Sequence, residues 1–113
     1  VDLRIRALAE RLDHGVAEPF RLEALAREAG LSVSRLAHLF REQMGMSPRV
    51  YAEEQKMRHA AQLLRLTPLS VGEVAEACGF ASAFYFSSRF RRWSRLSPRA
   101  FRDKVRQEQR GRR

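Results

Sequence analysis

Leu22, Leu25, Ala26 and Ala29 recur at i, i+3, i+4 and i+7, the spacing of a single buried stripe on a helix, and Val71, Val74, Ala75 and Cys78 repeat that spacing. Gly30 and Gly79 stand just past the two stripes, where a left-handed residue without a Cβ ends a helix. Ile5, Leu8 and Leu12 predict an opening helix, and Tyr51, Met57, Ala60, Ala61 and Leu64 run along a connecting helix from Pro48 to about Leu66. Start signals agree with these stripes. Ser70 followed by Glu73 is a capping-box pattern, Ser32 and Ser82 can cap the helices after the two glycine turns, and Ser47-Pro48 and Ser97-Pro98 place a capping serine before a proline at the first helical position. The pattern predicts an all-α fold of about seven helices, with no strand.

The prolines show that the chain repeats itself: Pro19 and Pro68 lie 49 positions apart, and Pro48 and Pro98 lie 50 apart. At spacing 49, Leu22, Leu25, Ala26, Ala29, Gly30 and Leu31 correspond to Val71, Val74, Ala75, Cys78, Gly79 and Phe80. From Leu36 and Phe86 onward the spacing is 50, so one residue has been added between Phe80 and Phe86. The expected organisation is a first unit over 1–47, a linker helix over 48–66 and a second unit with a basic tail over 67–113.

Each unit carries the parts of a helix-turn-helix: a small residue where two helices cross, a glycine in the turn, and apolar anchors that leave the second helix's outer face open. Ala26, Gly30, Leu31, Leu36, Leu39 and Phe40 fill these roles in the first unit. In the second they fall to Ala75, Gly79, Phe80, Phe86, Phe90 and Trp93. Any helical hairpin can show such a pattern once; two in register are a much stronger signal.

Charge narrows the partner. The 113 residues hold 22 Lys and Arg against 13 Asp and Glu, a net charge of +9, which suits a polyanion. The first part, to Leu66, carries +2 and the remainder +7. No apolar run approaches the roughly 18 residues that a membrane span requires, and the first twenty residues lack the apolar stretch of a secretory signal, so no membrane partner is expected and the cytoplasm is the expected location. Cys78 is the chain's one cysteine and sits at the repeat position of Ala29, which reads as a small core residue. With scattered histidines and no nucleophile–base set, phosphate loop or paired carboxylates, no metal, cofactor or enzymatic activity is expected.

The stretches LEALAREAGLSVSRLAHLFREQMGMSP and VGEVAEACGFASAFYFSSRFRRWSRLSPRAFR resemble the DNA-binding domain of the AraC/XylS family of bacterial transcription regulators, and the resemblance covers nearly the whole chain. Two departures stand out: the family's Phe-Ser-Arg-x-Phe is here Phe86-Ser87-Ser88-Arg89-Phe90, and a common glycine before the last Ser-Pro is here Arg95. The resemblance implies promoter DNA as partner, with RNA polymerase recruited or blocked, and a sensing or dimerisation domain beyond this chain. Val1 is not a start methionine, so a fragment of a longer regulator is expected. A connecting helix of about 19 residues spans about 28 Å, near the roughly 34 Å of one DNA turn. Two recognition helices in successive major grooves, reading an asymmetric site as a monomer, are therefore expected.

On the first recognition helix, from about Val33 to Met44, the candidates for DNA contact are Val33, Ser34, Arg35, Ala37, His38 and Arg41. Arg35 or His38 suits guanine acceptors, Ser34 suits several base edges, and Val33 or Ala37 suits a thymine methyl. The second, from about Ala83 to Arg95, offers Ser82, Ala83, Phe84, Ser87, Ser88 and Arg89. Phe84 can pack on thymine methyls, although core is the commoner role for an aromatic at helical spacing. Arg89 occupies the repeat position of Leu39, so it is expected along the helix surface and toward a phosphate. Ser32, Arg91 and Arg92 are the further phosphate candidates. The first helix is thus expected to discriminate sequence and the second to add affinity. Two other readings remain open at this point: a basic protein that binds nucleic acid without sequence preference, and a helical protein-interaction adaptor.

Overall fold

The computed structural model describes residues 1–112. Among the described residues seven helices follow one another: α1 (Leu3–His14), α2 (Leu22–Ala29), α3 (Val33–Met44), α4 (Pro48–Leu66), α5 (Val71–Ala77), α6 (Ala83–Ser94) and α7 (Pro98–Gly111). No strand occurs among the described residues. The fold is all-α, with two helix-turn-helix units, α2–α3 and α5–α6, joined through α4. The chain divides into two compact units, Val1–Gln55 and Lys56–Arg113.

In the first unit the predicted stripes close on one another. Ile5, Leu8 and Ala9 of α1, Leu25 and Ala26 of α2, and Leu36, Leu39 and Phe40 of α3 form one buried cluster. Removing side chains of this size from water contributes about 1.5–3 kcal/mol for each Leu, Ile or Phe. Tyr51 meets the Phe40 ring edge-on at 5.4 Å and donates its hydroxyl to Asp13 Oδ1 at 2.7 Å. Asp2 caps α1 by accepting the Arg4 N–H at 2.8 Å, and its own N–H reaches Gln43 Oε1 on α3 at 2.8 Å. The Arg4 side chain holds the Asp2 carboxyl down to about 2, so this cap keeps its charge at neutral pH.

The turn from α2 to α3 is built as the stripe predicts. Gly30 adopts φ 71°, and the Leu31 N–H reaches back to the Ala26 carbonyl at 2.9 Å while the Gly30 N–H bonds Arg27 O at 3.1 Å. This pair satisfies two carbonyls the helix end would otherwise leave open. Ala26 is buried with 2% exposure, as a close helix crossing needs.

The second unit repeats the design with a more aromatic core. Met57, Ala60 and Leu64 of α4, Val74 and Ala75 of α5, Cys78, and Phe86 and Phe90 of α6 are buried together. Phe90 is the hub, with ring centroids of Phe86, Trp93 and Phe101 at 5.6, 5.6 and 5.3 Å. The capping box is complete: the Glu73 N–H donates to Ser70 Oγ at 3.1 Å and the Ser70 N–H to Glu73 Oε1 at 2.9 Å. Phe80 N–H bonds Ala75 O at 3.0 Å, the counterpart of Leu31 to Ala26. Trp93 departs from expectation. It touches Phe90 but is 37% exposed, so it covers the rim of the core and does not anchor it from within.

Cys78 is fully buried, and burial pushes its thiol up to about 11. The folded pKa lies above the ordinary 9.0, so the stabilising contribution of the neutral thiol is complete below pH 9 and is lost as pH rises through about 11. We therefore expect the thiol to resist a disulfide-exchange reagent at pH 7 in the native protein and to react completely in denaturant. Equal reaction rates in both states would contradict this placement.

Arg95 is the one residue other than glycine with positive φ among those described, at 71°. Its repeat counterpart is Gly45, with φ 81°. A side chain in the left-handed region costs about 1–2 kcal/mol, part of which glycine returns through the greater freedom of its unfolded chain. Arg95→Gly is expected to stabilise the second unit by about 0.5–1 kcal/mol in urea unfolding. A loss of stability would show that the Arg95 side chain makes a contact worth more than the strain.

Candidate nucleic-acid interface

The start of α3 is fixed by Ser32, whose Oγ accepts the Arg35 N–H at 3.1 Å. That cap uses an oxygen lone pair and leaves the hydroxyl proton to donate outward, which suits Ser32 as a phosphate contact. Leu36, Leu39 and Phe40 hold the inner face in the core. Their burial turns Val33, Ser34, Arg35, His38 and Arg41 to solvent together, while Ala37 is half-buried at the edge of that face. His38 Nε2 lies 3.2 Å from the Glu42 carboxylate, one turn on. Glu42 was not among the expected residues; it places a negative charge on the outward face of α3 beside His38.

On α6, Ser82 Oγ accepts the Tyr85 N–H at 3.0 Å, and Phe86 and Phe90 are buried. Ser82, Ala83, Phe84, Ser88, Arg91 and Arg92 are exposed, whereas Ser87 and Arg89 are half-buried. Arg89 has a partner within the protein, whereas Leu39 at the matching position of α3 is buried in the core. Phe84 corrects the commoner expectation for an aromatic: it is 86% exposed, because Phe86 and Phe90 take the inward stripe and leave position 84 on the opposite side. Tyr85, passed over by the sequence reading, is 53% exposed beside it. Its signal was present in the repeat, since the spacing of 50 pairs Tyr85 with Arg35.

Farther along, α7 carries Arg99, Arg102, Lys104, Arg106 and Arg110. Arg102 is occupied, donating to Leu64 O at 3.0 Å and Thr67 O at 3.2 Å, and so ties α7 to the end of α4. Among the described residues no group of three or more His, Cys, Asp or Glu could hold a metal, and no helix is long and apolar enough to cross a membrane.

The two helix-turn-helix units have counterparts among known proteins. A helix-turn-helix domain model matches residues 25–104. The chain is 38% identical over 96 residues to the HTH-type transcriptional regulator GlxA of Rhizobium meliloti, covering 85% of this chain and 30% of that protein. It is 35% identical over 103 residues to the arabinose operon regulatory protein of Escherichia coli, covering 90% of this chain and 35% of that protein. It thus spans about a third of the length of these relatives. The solved DNA-binding domain of AdpA, a global transcriptional factor, in complex with a target DNA, superposes with a TM-score of 0.85 at 33% identity over 96% of each chain. The chain belongs to the AraC-type helix-turn-helix family, a family of DNA-binding domains of transcription regulators and not of enzymes.

Proposed function

We propose that this chain binds promoter DNA sequence-specifically, with α3 and α6 each laid in a major groove and the two grooves one helical turn apart. The observation that carries the reading is the twofold occurrence of an anchored helix whose outer face is left to solvent, once with Ser34, Arg35, His38 and Arg41, and once with Phe84, Ser88, Arg91 and Arg92. A binder without sequence preference needs basic charge but not two helices held in this way. The length of α4, 19 residues or about 28 Å, suits a connector between successive grooves. Bound DNA then brings the domain to a promoter in the cytoplasm, where a longer protein with a sensing or dimerisation domain recruits or obstructs RNA polymerase.

Selection of bound sites from random duplexes, followed by a gel shift against unlabelled random DNA, tests the proposal. A recurrent asymmetric site that resists random competitor is expected, bound by one copy of the domain in sedimentation. Equal competition by any sequence would overturn it. Affinity should also fall steeply with salt, since each neutralised phosphate contributes about 0.9 to the log–log slope. A slope shallower than about two would leave too few phosphate contacts for two docked helices.

A further inference from the structure

Within the function proposed above, we infer that Phe84 is a specificity-determining residue that reads the C5-methyl group of thymine, and that Tyr85 positions it. Phe84 and Tyr85 are the second and third residues of α6, the end from which a recognition helix meets base edges. Their repeat counterparts are Ser34 and Arg35, two of the polar candidates of α3, so the second unit presents apolar surface where the first presents donors. Phe84 is the most exposed large hydrophobic in the body of the chain, at 86%. Nothing in the packing of the second unit requires a phenyl ring there, since Phe86 and Phe90 fill the core from the other side of the helix.

Tyr85 is held differently. Its ring lies 6.2 Å from Phe80, which lies 5.0 Å from the buried Phe86, so a line of aromatic contacts runs from the core to the start of α6. That support keeps Tyr85 against the protein and fixes the first turn from which Phe84 projects. Major-groove edges offer one apolar group, the thymine methyl; other base edges present polar atoms that a phenyl ring leaves without partners. Ser88 and Arg91 follow Phe84 on the same face at i+4 and i+7, and Arg91 and Arg92 bring positive charge to the flanking backbone. The occupant of this apolar spot is therefore a thymine methyl within a phosphate-held duplex.

The test removes only the methyl. On a selected site, each thymine in the half contacted by the second unit is replaced in turn by uracil, which keeps both base pairing and the O4 acceptor. At one or two positions the intact domain is expected to lose about fourfold in affinity per methyl. Phe84→Ala is expected to bind thymine and uracil versions equally, while Phe84→Leu, which keeps apolar surface, retains part of the preference. Both variants should fold, because the residue is exposed, and unchanged circular dichroism verifies this. Equal affinity of the intact domain for all uracil and thymine versions overturns the inference, as does a preference that survives in Phe84→Ala. In either case resistance to random competitor would remain, which separates this failure from failure of the proposed function; loss of that resistance in the intact domain strikes both.

Discussion

Replacing Phe90 by alanine is expected to destabilise the second unit by about 3–5 kcal/mol, the cost of removing a fully buried aromatic side chain and leaving a cavity. Three rings lose their common neighbour at once, because Phe86, Trp93 and Phe101 all pack on Phe90. Stability of about 0.05–0.15 kcal/mol per residue leaves a unit of this size about 3–9 kcal/mol in hand. The change should therefore remove a large share of that margin and move unfolding of the second unit to a much lower urea concentration. Trp93 is the chain's one tryptophan, and its contact with Phe90 makes its fluorescence a direct reporter of this unit in urea. Arg91→Ala, one position on and exposed, should stay within about 0.5 kcal/mol of the parent. A Phe90 variant that loses less than about 1 kcal/mol would show that the aromatic cluster is not what holds α6 in place.

The second large effect separates reading from holding. Replacing Arg35 by alanine is expected to cost about 1–3 kcal/mol on the preferred site, about 5- to 150-fold, and much less on random DNA, because a base contact is lost. His38→Ala should fall at the lower end of that range, since His38 must leave Glu42 before it meets a base. Arg91→Ala and Arg92→Ala should weaken both DNAs about equally, as phosphate contacts carry no direct base information. Binding to the two DNAs at a single salt concentration decides the matter through the ratio of affinities. If the Arg91 or Arg92 change lowers that ratio while the Arg35 and His38 changes leave it untouched, the roles are reversed.

Much of the fold was legible because its signals are local. A stripe at i, i+3, i+4 and i+7, a glycine past its end and a serine before a proline each act through the nearest turn of backbone, and the repeat stated each signal twice. Helix start points at Val33, Pro48, Val71, Ala83 and Pro98 followed from the serines that precede them or from proline itself. What was not legible depended on competition between side chains for the same inward space. Trp93 has the apolar surface of an anchor, but Phe86 and Phe90 already fill the interior, and the tryptophan is left at the rim. Phe84 reads as core by residue type and is the reverse by position, because the stripe of Phe86 and Phe90 determines which side faces in. Tyr85 was legible in principle through its pairing with Arg35, but a tyrosine next to two phenylalanines suggests packing before recognition. Glu42 shows the opposite difficulty. An acidic residue within a basic surface attracts no notice until its carboxylate is found 3.2 Å from His38.

Whether one copy of the domain reads two successive major grooves is decided by interference from guanine N7 methylation on a selected duplex, with thymine-to-uracil exchange covering positions that lack guanine. Each modified base adds or removes a group in the major groove alone, so positions where binding changes mark where a helix docks. Two clusters of sensitive positions about 10 base pairs apart on one face are expected, with one abolished by Arg35→Ala and the other altered by Phe84→Ala. A single cluster, unaffected by every change on α6, would contradict this.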